Sequence, residues 1–343
     1  MGATRRTTPE PLVAELGEGR LVERIVESLR AAGVASDPSG DDAAVVAWDD
    51  AHLLLTVDLL VESVDFDLSY CTPADIGWKA LAVSVSDIAA MGGAARHAVV
   101  ALALRADTRV AFVDELTRGL SEAASRWDVA IAGGDLSRAR DLSISVALTG
   151  APGPDGWARR SGAGPEDAIF VTGALGGAAG GLALLQAGRA TGPDHQPDAV
   201  RRLIQRQLRP QARASEGPAL VRAGATAMID VSDGLAIDLD RLVRASGVGC
   251  VVDLDAVPVD ADLGAVDLGP DAADARRLAL LGGEDFELLV TGPPDAAGSM
   301  TAAAAELGTP LTRIGRVDEE ERLLGGAPLD EWTEQAWDHL RAR

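Results

Sequence analysis

Lysine is almost missing from this chain: of its 31 basic residues one is a lysine, Lys79, and the rest are arginines. A P-loop needs Gly-Lys-Ser/Thr after a glycine-rich turn, whereas Lys79 stands between Trp78 and Ala80. None of the histidines, His52, His97, His195 or His339, opens the His-Arg-Asp of a protein-kinase catalytic loop. Both common phosphotransfer designs are excluded. Cysteine is as scarce; Cys71 and Cys250 lie far apart without a metal-ligand spacing, which fits a reducing cytoplasm with both as small buried residues. Aromatics make up 3%, so alanine, valine and leucine must fill the interior of a chain that is 47% hydrophobic. Apolar runs such as Ala98–Leu104 are too short to span a bilayer. Met1–Gly19 lacks the apolar centre of a signal peptide, and Arg6 occupies the position where N-myristoylation needs Ser or Thr. A soluble cytoplasmic protein without a membrane partner is expected. With 53 acidic residues and a net charge of −22, the chain also repels nucleic acid. The same field would repel a nucleotide, so any phosphate site here requires bound cations.

What the chain does have is a recurring arrangement of acids. Asp or Glu stands where an apolar segment meets a glycine-rich or helix-opening turn at Gly40-Asp41-Asp42, Val57-Asp58, Ser86-Asp87, Gly133-Gly134-Asp135, Asp230-Val231-Ser232-Asp233-Gly234 and Gly282-Gly283-Glu284-Asp285. Carboxylates at element ends, beside glycines that let backbone approach closely, suit hard cations and the phosphates they carry.

At 343 residues two domains are the natural expectation, and the Pro- and Gly-rich stretch Gly150–Gly156 separates residues 1–150 from 151–343. Leu12–Ala31 has a helical period interrupted at Gly17–Gly19. Ala43–Trp48 and His52–Val57 read as a hairpin around Asp49-Asp50. Thr72-Pro73-Ala74-Asp75 opens a helix that runs to about Ala90 and stops at Gly92-Gly93. Ala98–Leu104 and Leu142–Leu148 read as strands around a helix at Arg109–Arg126. Beyond the linker come strands at Ala168–Thr172, Thr226–Asp230, Gly249–Leu254 and Phe286–Thr291. Helices are expected at Gly176–Ala187, Asp198–Leu208, Gln211–Ala223 and Leu235–Ala245, with residues 255–275 as a loop. Hairpins beside alternating strands and helices point to α+β with mixed sheets.

Each motif has a plainer reading. Gly173–Gly177 lacks the Rossmann spacing and reads as close packing of helix on strand. Asp87 falls in the last turns of an apolar helix, where the dipole disfavours a negative charge by about 0.3–1 kcal/mol, a penalty that a cation removes. An exposed acid at a frayed end is the alternative. Ser232 or Asp233 serves equally well as an N-cap or beside a metal. Lys79, four residues after Asp75, is either half of a surface pair or a compact ammonium at a crowded anionic cluster where an arginine fork cannot fit.

Taken in order, Gly40-Asp41-Asp42-Ala43-Ala44, Asp58 with Leu60-Val61-Glu62, Lys79–Val83, Ser86–Gly92, Gly133-Gly134-Asp135, Arg160-Ser161-Gly162, Asp230–Gly234 and Gly282–Leu288 resemble the thiamine-monophosphate kinase family. The resemblance covers nearly the whole chain. It implies the two-domain AIR synthetase-like (PurM-like) α+β fold, with the N-terminal sheet pairing across a homodimer. It implies transfer of the γ-phosphoryl group of ATP to thiamine monophosphate, with several Mg²⁺ ions held by Asp42, Thr56, Val57, Asp58, Asp87, Asp135, Asp230 and Asp233. It further implies nucleotide contacts from Gly134, Asp135, Arg160 and Ser232, with Arg160 as electrostatic stabiliser, and substrate contacts from Asp65, Glu284 and Trp337. Two positions depart from the family. Asp65 stands where histidine is usual, and Val57 replaces a hydroxyl residue, so that only its carbonyl would serve. A selenophosphate synthetase-like enzyme, for which a reactive cysteine near the N-terminus is expected, a purine-pathway ligase and a non-catalytic metal-binding relative are the rival readings.

Overall fold

Glycine divides the first helical stretch where the sequence suggests. Gly17, at φ 80° and ψ 162°, ends α1 (Val13–Leu16) and precedes α2 (Glu18–Ala31). The structure is a computed structural model that describes residues 12–33, 40–189, 197–269, 272 and 274–336. The chain forms two units: residues 1–39 with 337–343, which contain these two helices, and Gly40–Ala336, which contains everything below.

The larger unit begins with the expected hairpin. β1 (Ala44–Trp48) pairs antiparallel with β2 (Ala51–Val61), with Trp48 opposite Ala51, and Asp49 takes the left-handed φ of 50° that so tight a turn requires. α3 (Pro73–Ala90) starts at a reciprocal cap. Thr72 Oγ1 accepts from the Asp75 N–H at 3.2 Å, and the Asp75 carboxylate accepts from the Thr72 N–H at 3.3 Å. β3 (Gly93–Leu104), α4 (Val110–Trp127), β4 (Ala130–Arg138) and β5 (Ser143–Pro152) complete a five-stranded sheet ordered β1-β2-β5-β3-β4, in which only β3 and β4 run parallel. One face of this sheet packs on α3, which is buried along nearly its whole length. α4 covers α3, and the two backbones touch: a Cβ on Gly77 would lie 2.1 Å from Leu116 O, and one on Gly119 would lie 1.8 Å from Ala74 O. The opposite face of the sheet carries Leu55, Val57, Leu59 and Val99, all exposed.

The second half is built on a seven-stranded sheet. Its strands are β6 (Ala168–Thr172), β7 (Ala227–Val231), β8 (Gly249–Val252), β9 (Glu287–Gly292), β10 (Leu311–Asp318), β11 (Arg322–Leu324) and β12 (Ala327–Pro328), ordered β12-β11-β8-β10-β6-β9-β7. Around it lie α5 (Gly177–Gln186), α6 (Asp198–Leu208), α7 (Glu216–Arg222), α8 (Leu235–Ser246), α9 (Ala275–Leu281), α10 (Ala297–Glu306) and α11 (Leu329–Thr333). β6, β7 and β9 are buried throughout, and their side chains divide between two hydrophobic clusters. α3 reaches across to pack on β7 as well.

Two sequence expectations are corrected. Gly133-Gly134-Asp135 is not a turn but the middle of β4, because flat glycine backbone lets β4 press on β3; a Cβ on Gly134 would lie 2.0 Å from Val100 O. The helix expected over Gln211–Ala223 begins only at Glu216, since Pro218 has no N–H to donate and is tolerated only in a first turn.

Candidate active site

Three acids from distant parts of the chain come together at the end of α3. Asp42 lies just before β1, Asp87 in the last turn of α3 and Asp230 on β7, and one carboxylate oxygen of each lies within 4.8 Å of the others. Each is held differently. Asp42 Oδ1 accepts from Arg160 Nη2 at 2.5 Å and Nε at 3.2 Å, while its buried Oδ2 has no hydrogen-bond partner among the described residues. Thr56 donates to the Asp87 carboxylate, and Ser86 Oγ donates to Asp230 Oδ2 at 2.5 Å. Asp58, on β2, faces α3 and accepts from Ser84 Oγ at 2.6 Å. Burial, reinforced by the neighbouring carboxylates, pushes Asp87 and Asp230 well above the ordinary carboxylate range. Burial raises Asp42 against the opposing pull of Arg160, and raises Asp58 against its bond from Ser84.

Arg160 also fixes the entry to this cluster. Its Nη1 donates to Gly40 O at 2.8 Å and its backbone N–H to Asp41 Oδ1 at 2.9 Å, while Arg159 pairs with Asp41 Oδ2 at 2.8 Å. Two successive arginines thus tie the Gly40-Asp41-Asp42 segment to the chain beyond the linker.

A second acidic group adjoins the first. The Ser232 and Asp233 N–H groups donate to Asp238 Oδ2 at 3.1 and 3.0 Å, and Arg241 Nη1 bonds Asp238 Oδ1 at 2.8 Å as well as the Asp233 carboxylate. Neither Ser232 nor Asp233 caps α8, whose N-cap is Gly234. Burial, opposed by Arg241, raises Asp238 to about 7.

Asp135 lies elsewhere. It is in register with Ala101, Ser145 and Leu59, one row along from Asp58, so the pleat turns it to the face away from α3, where it is exposed. Val57 points to that same face, so only its backbone is available to the inner side. Asp65 and Glu284 do come together. Lys79 Nζ donates to Asp65 O at 3.2 Å and pairs with Glu284 Oε1 at 2.5 Å, and Gln207 donates to the other Glu284 oxygen. The surface pair between Lys79 and Asp75 is not formed: Lys79 is buried, and Asp75 pairs instead with Arg209 at 2.6 Å. The Asp65 carboxylate accepts from the Val61 N–H at 2.7 Å. Trp337 falls outside the described residues.

Sequence reading missed Ser84, Ser86, Arg241, Asp238 and Gln207. A signal for the serines exists: polar groups at Ser84, Ser86 and Asp87 in a helix buried on all sides need partners. Nothing local identifies the other three.

The arrangement suits a divalent cation. Three oxygen donors converge, one buried oxygen has no donor, and the charges repel one another in a poorly solvated place. Arg160 adjoins as a fixed positive charge for a phosphate.

Comparison with known proteins agrees with this geometry. Residues 40–151 match the model for the AIR synthase related protein, N-terminal domain, and residues 164–324 that for the C-terminal domain. The fold and site therefore define an AIR synthase related protein. Among relatives, the thiamine-monophosphate kinase of Salmonella typhimurium is 38% identical over 307 residues, covering 89% of this chain and 91% of its own. That of Bacillus subtilis is 36% identical, covering 82% and 86%. A solved structure of AaThiL complexed with AMPPCP and TMP superposes with a TM-score of 0.82 at 31% identity, covering 94% of this chain and 97% of that one. The chain belongs to the thiamine-monophosphate kinase family, and is an enzyme of that kind.

Proposed function

We propose that the protein phosphorylates thiamine monophosphate to thiamine diphosphate, transferring the γ-phosphoryl group of ATP in line and in the presence of Mg²⁺. The observation that carries this reading is the convergence of Asp42, Asp87 and Asp230 beside Arg160. The relatives named thiamine-monophosphate kinase and the neighbour holding AMPPCP and TMP support the same substrates.

Asp42, Asp87 and Asp230 would hold the cation, with Asp58 beside them and Thr56 orienting Asp87. Bound there, Mg²⁺ supplies positive charge that offsets the transferring phosphates. Arg160 presents a guanidinium that Asp42 only partly occupies, placed to stabilise charge on the nucleotide. The acceptor is a phosphate monoester whose second pKa is about 6, so no general base is needed to create the nucleophile. What remains for the chain is positioning two polyanions, which is how phosphoryl transfer is commonly catalysed. Asp65 and Glu284 are placed on the acceptor side, and residues 1–150 and 151–343 act as two halves of one site. The ligand set proposed here leaves out Asp135, which faces away, and Asp233, which Arg241 already neutralises.

We also infer a cytoplasmic homodimer joined through the exposed sheet face of Leu55, Val57, Leu59 and Val99, an apolar surface of the kind that marks an interface. Among the described residues no helix is long and apolar enough to cross a membrane.

One preparation tests both. Incubated with ATP, MgCl₂ and thiamine monophosphate, it is expected to yield thiamine diphosphate by mass spectrometry, with plain thiamine left unchanged. Sedimentation is expected at about twice the 35.3 kDa chain mass. Phosphorylation of thiamine alone, or no product, would overturn the activity; a monomer would overturn the interface.

A further inference from the structure

We propose that Lys79 is a positioning residue for the phosphoryl acceptor, an inference that rests on the function proposed above. The only lysine of the chain lies inside α3 with its side chain 5% exposed, yet its Glu284 partner remains 29% exposed. The ammonium therefore anchors from below a carboxylate whose outer edge still reaches solvent. It bonds two segments far apart in sequence, through Asp65 O and Glu284 Oε1.

The Glu284 segment needs such an anchor. Glu284 and Phe286 both hold left-handed backbone, at φ 69° and 50°, although neither is a glycine. Between them Asp285 is half-buried, accepting from the Gly176 N–H at 2.5 Å and the Ala178 N–H at 3.0 Å. The Glu284 N–H donates to Ser232 O at 2.7 Å and the Phe286 N–H to Val231 O at 2.9 Å, so this segment is fastened to the strand end that carries Asp230. Non-glycine residues in this region persist only where surrounding bonds over-determine them, and they collect at ligand sites. Among these bonds Lys79 supplies the one cationic contact, and Gln207 donates to the second Glu284 oxygen.

The chemistry explains the choice of lysine. With each Glu284 oxygen taking one donor from the protein, each keeps a further lone pair for N–H donors of an aminated heterocycle. The neutralising charge from below keeps that carboxylate from turning away. A planar guanidinium favours two-pronged contact with one partner, whereas the compact ammonium reaches Asp65 O and Glu284 Oε1 from a single point.

The test uses the full chain with Lys79→Met and Lys79→Arg, measured for KM of thiamine monophosphate, KM of ATP, kcat and thermal midpoint. The Lys79→Met variant is expected to raise KM for thiamine monophosphate about 10- to 100-fold, the scale of a lost hydrogen bond to a charged group, with KM for ATP within about twofold. Lys79→Arg keeps the charge and serves if Lys79→Met does not fold; it is expected to show the same selective rise in smaller measure. In the Lys79→Met background, adding Glu284→Gln is expected to recover thermal stability but not KM. A lowered midpoint with both KM values unchanged, or an equal rise in both, would overturn the proposal and leave Lys79 a packing residue. If the wild-type protein turns over thiamine monophosphate, such a result counts against Lys79 alone; if it does not, both readings fall together.

Discussion

Two residues separate Asp230 from Asp233, members of two acidic groups that are compensated in opposite ways. Asp233 and Asp238 are answered by Arg241 and by backbone amides, whereas among the described residues Asp87 and Asp230 accept side-chain hydrogen bonds only from the hydroxyls of Thr56 and Ser86. Asp42 lies between these cases, with one oxygen paired to Arg160 and the other left without a donor. Breaking a buried ion pair commonly costs about 3–5 kcal/mol, so a fold does not leave carboxylates uncompensated without use for their charge. On the function proposed above, the difference separates acids that act as structural supports from those proposed to hold a cation. Judged as sequence, Asp230 and Asp233 look alike; judged by partners, they do different work.

The largest expected effect breaks the comparison at its uncompensated member. Asp87→Asn should lower kcat/KM by about two to three powers of ten, the scale of losing one electrostatic contributor at a reacting centre. It should at the same time raise the thermal midpoint of the metal-free protein, because a repelled charge is gone. Steady-state kinetics and thermal melts with and without MgCl₂ check this, and full activity with an unchanged Mg²⁺ requirement would count against it. Next, Arg160→Met should cost about 3 kcal/mol in urea unfolding, since it strands Asp42 and frees the Gly40-Asp41-Asp42 segment. A loss below about 1 kcal/mol would mean that Asp42 is supported in some other way.

The smallest effect sharpens the contrast with an acid held only by amides. Burial raises Asp285 from 3.8 to about 7, with Glu287 adding to the rise and the Gly176 and Ala178 amides and Arg206 opposing it. A carboxyl raised in the fold contributes stability that is complete below its unfolded value and is lost as pH climbs through the folded one. The metal-free protein should therefore lose stability between about pH 4 and 7, and Asp285→Asn should flatten that slope. Thermal midpoints across this range decide it; parallel slopes in both proteins would exclude Asp285 as a source.

Local chemistry explains what could be read in advance. The cap at Thr72 and Asp75, the glycine break at Gly17 and the hairpin around Asp49 are decided within a few residues, and the sequence displays them. β4 was hidden, because Gly133 and Gly134 resemble a turn until β3 lies beside them. The residues after Gly292, for which the sequence reading assigns no element, form α10, β10, β11, β12 and α11 around the second sheet. Within the site, the carboxylates were legible as a group, but their division into Arg-paired and unpaired sets was not. That division depends on Arg241 and Arg160 meeting their partners in space, and no spacing in the chain encodes it. Lys79 shows the same limit: Asp75, four residues away, is the near neighbour, while Glu284 becomes the partner only after folding.

The crossing of Gly77 and Gly119 makes α3 a gauge bar. It is clamped backbone to backbone, and Lys79 and Asp87 are mounted on it eight residues apart, about 12 Å of helical rise. Whatever grips the heterocycle and whatever grips the ion are thereby set at one fixed span, which neither end can alter by itself. On the function proposed above, a molecule of the wrong length would meet one grip and miss the other.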